Sequence, residues 1–286
     1  MWIVYALFSA LFAGGMSILA KIGIKDTDSN VATALRTVVV AVFAWLMVFM
    51  AGSQNTITAI ETKSVVFLVL SGLATGGSWM CYFRALQIGD VNKVVPVVKS
   101  STVLTMLLSF ILLGENFTLI KAAAMILIGA GTYLMIERKE TASNGVKGYA
   151  WLIYASLSAL FASLTAILGK VGIENVEPNL GTAIRTLVVL VMAWLIVFMQ
   201  KKQTELKKID ERSRLFIVLS GFATGFSWMC FYHALREGPV SAVVPIDKLS
   251  ILVTVAFSYF VLREKLNKKP LAGLVLIIAG TLSLLI

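Results

Sequence analysis

The chain carries two related copies of one sequence. Shifted by 149 positions, residues 1–137 fall on 150–286 without a gap, and roughly 60 of the 137 aligned positions are identical. Trp2 meets Trp151, Arg36 meets Arg185, Trp45 meets Trp194, Lys99 meets Lys248 and Glu115 meets Glu264. "TGGSWMC" (75–81) meets "TGFSWMC" (224–230). Such agreement points to duplication of one ancestral unit, a repeat that must be recognised before any fold is assigned. The expected organisation is a first repeat over 1–137, a connection over 138–149 and a second repeat over 150–286.

Each copy holds five apolar runs of about 20 residues, the length that crosses a bilayer as a helix. They fall at roughly 2–20, 31–51, 64–83, 94–113, 118–136, 150–169, 180–200, 215–233, 243–262 and 270–286. Composition agrees, with 58% hydrophobic residues, 14% charged residues and a mean hydropathy of +0.89. The expectation is an all-α integral membrane protein of ten transmembrane helices, multi-pass in the cell membrane. The first run lacks a basic leader and a small-residue cleavage site, so it reads as a retained span.

Five spans per copy is an odd number, so the second copy enters the membrane inverted. Loop charge fits this. Of 25 Lys and Arg, four lie on the face of the N-terminus (Lys63, Lys121, Lys170, Arg236), four lie inside spans, and seventeen face the other side. The positive-inside rule makes that second side cytoplasmic and both termini extracytoplasmic. The net charge of +10 is thereby loop charge that sets orientation, and no nucleic-acid partner is expected. Cys81 and Cys230 lie deep in apolar runs and His233 is the single histidine. No metal site and no cofactor are expected, and no catalytic motif is present.

The charges left inside the spans are the informative ones. Arg36, Lys99, Arg185, Lys248 and Asp247 remain. An ionisable group at mid-bilayer costs about 2.5–3.5 kcal/mol on the insertion scale and usually faces a cavity or a partner. Lys99 lies nine residues past Asp90, about 13 Å deep at helical rise, near the middle of a core about 30 Å thick. Lys248 is its equivalent from the other side. Pro96 and Pro245 stand three residues earlier; each removes a backbone donor and is expected to kink its helix and open space beside the lysine. Two such cations at a pseudo-two-fold axis form a site for a negative group.

Asp247 has Val98 as its counterpart, which leaves two readings: an ion-pair partner, or the site of a coupled proton. Arg36 and Arg185 lie about one turn inside their helices. They read as gating or structural groups, with crossed pairs Arg36–Glu264 and Arg185–Glu115, or as substrate contacts. Lys21 and Lys170 end their helices, where a cation suits the dipole. Ser71, Thr75, Ser78 and Tyr82 share one helical face beside Trp79, echoed by Ser220, Thr224 and Ser227 beside Trp228. Such a stripe either walls a cavity or bonds helices together; Thr75, Trp79, Tyr82, Thr224, Trp228 and Tyr232 are the candidate substrate contacts. "GLATG" (72–76) and "GFATG" (221–225) carry small residues that let helices approach closely.

With "LLGEN" (112–116), "VLREK" (261–265), "ATALRTVVV" (32–40) and "GTAIRTLVV" (181–189), the two five-helix copies resemble the drug/metabolite transporter superfamily, and specifically its EamA-type members. The resemblance implies that helices 1–4 and 6–9 surround a central cavity, that helices 5 and 10 lie outside it, and that transport runs by alternating access. Inverted repeats independently place solute near the midplane. Triose-phosphate translocators of that superfamily resemble this arrangement, with lysines on helices 4 and 9 at the positions of Lys99 and Lys248. The expected function is secondary transport of a small anionic or zwitterionic solute. The alternatives are a multidrug or cation exporter, although the small multidrug resistance proteins use an acid on helix 1 that "LFAGGMS" (11–17) lacks, and a lipid-phosphate flippase or non-transporting membrane protein.

Overall fold

A computed structural model describes residues 1–23, 27–88, 91–135, 149–260 and 268–285. Among them lie twelve α-helices and no strand. The first half contributes α1 (Trp2–Gly23), α2 (Ser29–Met50), α3 (Thr62–Ile88), α4 (Val91–Lys99), α5 (Ser101–Leu112) and α6 (Leu119–Leu134). The second contributes α7 (Ala150–Ile173), α8 (Pro178–Met199), α9 (Glu211–Glu237), α10 (Val240–Lys248), α11 (Ser250–Phe260) and α12 (Lys268–Ser283). Seven spans are long and apolar enough to cross a membrane by length and composition. α4 and α5 run in series as the fourth span, α10 and α11 as the ninth, and the shorter α6 and α12 are the fifth and tenth, which gives ten. The connection over 138–149 lies outside the described residues except for Tyr149.

The halves interlock. α3 packs on α7 and α1 on α9, and both pairs run antiparallel. In the first, Ser78 Oγ donates to the Ser158 carbonyl at 3.0 Å; in the second, Ser227 Oγ donates to the Ser9 carbonyl at 3.1 Å. These two contacts are each other's image under the 149-residue shift. Since α1 and α3 run the same way across the membrane, antiparallel pairing with α9 and α7 means that the second copy is inverted. Glycine permits the close crossings. A Cβ at Gly72 would lie 2.7 Å from Val188 Cβ, and one at Gly221 would lie 2.7 Å from Val39 Cβ, again an image pair. α6 packs on α12, where Gly131 faces the Gly273 carbonyl, and joins α5 through Met106, Met125 and Ile128.

The fourth and ninth spans break where a lysine stands, and the break differs from the expected proline kink. α10 stays helical through Pro245 and ends at Lys248; α4 stays helical through position 96 and ends at Lys99. At the second break the Leu249 amide bonds to the Ile246 carbonyl at 2.9 Å, and the Leu252 amide to the Leu249 carbonyl at 2.8 Å. The ladder has tightened from four-residue to three-residue spacing. Pro245, the sixth residue of α10, has no N–H to offer the Ser241 carbonyl of the first turn, and the three-residue bonds follow one turn later.

Candidate functional site

The breaks open onto a cavity of about 510 Å³ between the halves. Its described wall comes from α1–α5 and α7–α11; neither α6 nor α12 contributes. Lys99 and Lys248 both line it, as do Thr75, Trp79, Thr224, Trp228, Tyr232, Arg36, Arg185 and Asp247. Each lysine is the last residue of a half-helix, with the N-terminus of the next half-helix, Ser101 or Ser250, lining the cavity beside it. A helix N-terminus favours negative charge, so ammonium group and helix end favour the same kind of ligand. At the first break Ser163 Oγ donates to the Ser101 carbonyl at 3.0 Å. The image position is Gly14, where a Cβ would lie 2.9 Å from the Ser250 carbonyl: a hydroxyl does on one side what close packing does on the other.

Asp247 is the one acid among the described wall residues. Its Oδ1 accepts from Ser9 Oγ at 2.6 Å and its Oδ2 lies 3.5 Å from Lys248 Nζ. Ser9 also lies 3.4 Å from Ser227 Oγ, so α1, α9 and α10 meet at this carboxylate. Lys99, whose counterpart neighbour is Val98, has no such partner among the described residues.

The two arginines, equivalent in sequence, differ in setting. Arg185 is 3% exposed. Its Nε donates to Ser71 Oγ at 3.1 Å and its Nη2 to Thr75 Oγ1 at 2.6 Å. The rings of Trp228 and Tyr232 lie 4.8 and 5.2 Å from the guanidinium, a desolvated cation–π arrangement of about 2 kcal/mol. Arg36 has none of this. It is half-buried and its Nη1 meets Met16 Sδ at 3.4 Å. The hydroxyls that correspond to its twin's partners turn to their own helix instead, Ser220 to the Ile217 carbonyl and Thr224 to the Ser220 carbonyl.

Other expected residues lie elsewhere. Arg185 and Glu115 do not pair in this structure. Glu115 instead caps α10: the Val240 amide donates to Oε1 at 2.5 Å and the Ser241 amide to Oε2 at 3.1 Å. Amides at a helix N-terminus lack intrahelical partners, which makes that end a better seat for a carboxylate than an arginine committed to hydroxyls. Glu264, the partner expected for Arg36, lies outside the described residues, as do the side chains of Lys21 and Pro96. Tyr82 is not a wall residue; it packs with Ala85, Val94 and Ala155. Pro245 is buried within α10. Lys170 caps not its own helix but α9, donating to the carbonyls of Leu235, Arg236 and Gly238 at 2.6, 3.1 and 3.1 Å. Ser9, Ser158 and Thr165 were absent from the expected set, because single hydroxyls in apolar runs carry no pattern until the partner helix is known.

Known proteins resemble both the copies and the whole. The EamA-like transporter family matches residues 1–137 and, separately, 149–286. A Sinorhizobium sp. protein named "Uncharacterized transporter in cobO 3'region" is 41% identical over 135 residues, which are 47% of this chain and 96% of that protein. It therefore has the length of one copy. An uncharacterized transporter of Bacillus subtilis (strain 168) is 25% identical over 244 residues, covering 83% of this chain and 74% of its own. An uncharacterized transporter of Archaeoglobus fulgidus is 23% identical over 264 residues, covering 92% and 90%. A solved crystal structure shares the fold with a TM-score of 0.81 at 15% identity, over 99% of this chain and 96% of that one.

Proposed function

Because the chain belongs to the EamA-like transporter family, we propose that it moves a small anionic or zwitterionic solute across the membrane by alternating access, binding it between Lys99 and Lys248. The observation that carries this reading is the charge on the cavity wall: four cations, Arg36, Lys99, Arg185 and Lys248, against the single acid Asp247. Cations within a membrane span are costly without a counter-charge, and an anionic ligand offsets that cost. Asp247 acts as the counter-ion of Lys248, which the 3.5 Å contact supports. A lipophilic cation would meet this surplus of like charge and find the one carboxylate already engaged.

Alternating access draws support from the unequal arginines. On the face of the N-terminus Arg185 is sealed among α3 and α9 side chains, while Glu115 and Lys170 tie the helix ends there together. Toward the other face Arg36 stands free of the equivalent contacts. Inverted repeats reach their second state by exchanging the conformations of the two copies. In that state Arg36 would bond Ser220 and Thr224 while Arg185 is released. The conformation described here is closed on the N-terminal face.

The test is thermal unfolding of the purified protein against a panel of metabolites, since a ligand that binds only the folded state raises the melting temperature. Anionic or zwitterionic compounds are expected to stabilise it. Stabilisation by lipophilic cations alone would overturn the reading.

A further inference from the structure

Arg185 is the most enclosed cation of the cavity wall, and no carboxylate pairs with it among the described residues. Its two hydroxyl partners are themselves oriented by α7: Ser71 Oγ donates to the Thr165 carbonyl at 2.7 Å, and Thr75 Oγ1 lies 3.3 Å from Thr165 Oγ1. One side of the guanidinium is thus pinned through Nε and Nη2, its faces lie against Trp228 and Tyr232, and Nη1 is buried without a hydrogen-bond partner among the described residues. A guanidinium is a rigid fork of donors that matches a carboxylate. Here the fork is held in place by neutral groups and its Nη1 donor is left without an acceptor among the described residues. Lys99 is a second centre on the same wall, also without a counter-ion among the described residues, whereas Lys248 has Asp247.

We infer that Arg185 and Lys99 hold the two ends of one solute, which therefore carries two separated negative groups. This rests on the anionic-solute reading above and narrows it. A monoanion reaches one cation and leaves the other uncompensated; a dianion with a charge at each end meets both. A cavity of about 510 Å³ is of the size that encloses a compact metabolite. Arg185 then has two tasks. In the closed conformation it is locked away among hydroxyls and rings, and when the N-terminal face opens it becomes the anchor for the far carboxylate.

The experiment uses the full-length protein in detergent at constant ionic strength. Succinate, glutarate and adipate are compared with butyrate, pentanoate and hexanoate by the concentration that gives half the maximal thermal stabilisation. The dicarboxylates are expected to act at concentrations about tenfold lower, one charge-assisted contact's worth. Arg185→Gln is expected to abolish that advantage while the ligand-free melting temperature holds or rises, and Arg185→Lys to restore part of it. Lys99→Met is expected to abolish it as well. Equal potency of the two series contradicts the inference. So does an Arg185→Gln protein that keeps the advantage, whatever its own melting temperature. The parent reading fails differently: the Lys99→Met/Lys248→Met protein would bind every compound as the wild type does. If no member of either series stabilises the protein, the inference is contradicted.

Discussion

Glu115 ends the fourth span of the first copy, and its carboxylate accepts the amide of Val240, the first helical residue of α10 in the second copy, at 2.5 Å. With Ser241 and Ser109 as further donors at 3.1 and 3.2 Å, one acid joins the two halves. The halves are thus held there by helix-end electrostatics rather than by an arginine–glutamate pair.

Glu115→Gln keeps the shape and removes the charge from that cap. A stability loss of about 1–2 kcal/mol is expected, the range for a lost cap at a helix N-terminus. Thermal unfolding in detergent reads it. An Arg185→Gln protein is not expected to share this loss, which separates the cap from the arginine.

The α6–α12 contact depends on absent side chains. A Cβ at Gly131 would lie 2.6 Å from the Gly273 carbonyl, and backbone cannot give way as a side chain does. Gly131→Ala is expected to destabilise by about 1–3 kcal/mol through overpacking. Gly15→Ala, with nothing within 4 Å, is expected to be neutral or stabilising, since alanine is the better helix former. Melting temperatures of the two variants check the contrast.

Outside the spans, Asp28 caps α2 and pairs with Lys202 at 2.5 Å, joining the first loop to the end of α8. Burial pushes its carboxyl up, but the Lys202 hydrogen bond and the Val31 and Asn30 amides outweigh that and hold it below the ordinary value. A depressed folded-state value stabilises above the unfolded pKa and fades as pH falls through the folded one. The stability difference between wild type and Asp28→Asn is therefore expected to be present at neutral pH and to shrink below about pH 4. A difference that stays constant into acid would show that the charge of Asp28 is not its source.

Topology follows from loop charge. With seventeen Lys and Arg on one face and four on the other, a C-terminal reporter active only in the cytoplasm is expected to be silent. An active reporter would mean that the positive-inside bias does not orient this chain.

The fold was legible because two periodicities, apolar runs and the 149-residue repeat, act over the whole chain. The cavity's cations were legible because charge in an apolar run is conspicuous. Pairing was not legible. Arg185–Glu115 was inferred from a shared membrane side, yet which groups meet there is set by helix register, and only the folded chain shows α3 offering two hydroxyls to Arg185. Tyr82 shares a heptad-spaced face with Thr75, but that face turns from the cavity toward Ala155 along so long a helix. The asymmetry between Arg36 and Arg185 was invisible for another reason. The segments that carry them, "ATALRTVVV" and "GTAIRTLVV", are too alike to show which arginine is enclosed.

The central claim, that Lys99 and Lys248 hold the solute, is tested most directly by the binding isotherm of a stabilising anion to the Lys99→Met/Lys248→Met protein. The account predicts a stably folded protein with binding weakened by about two orders of magnitude or more, two charge-assisted contacts being lost. Wild-type affinity in a stably folded double variant would contradict it.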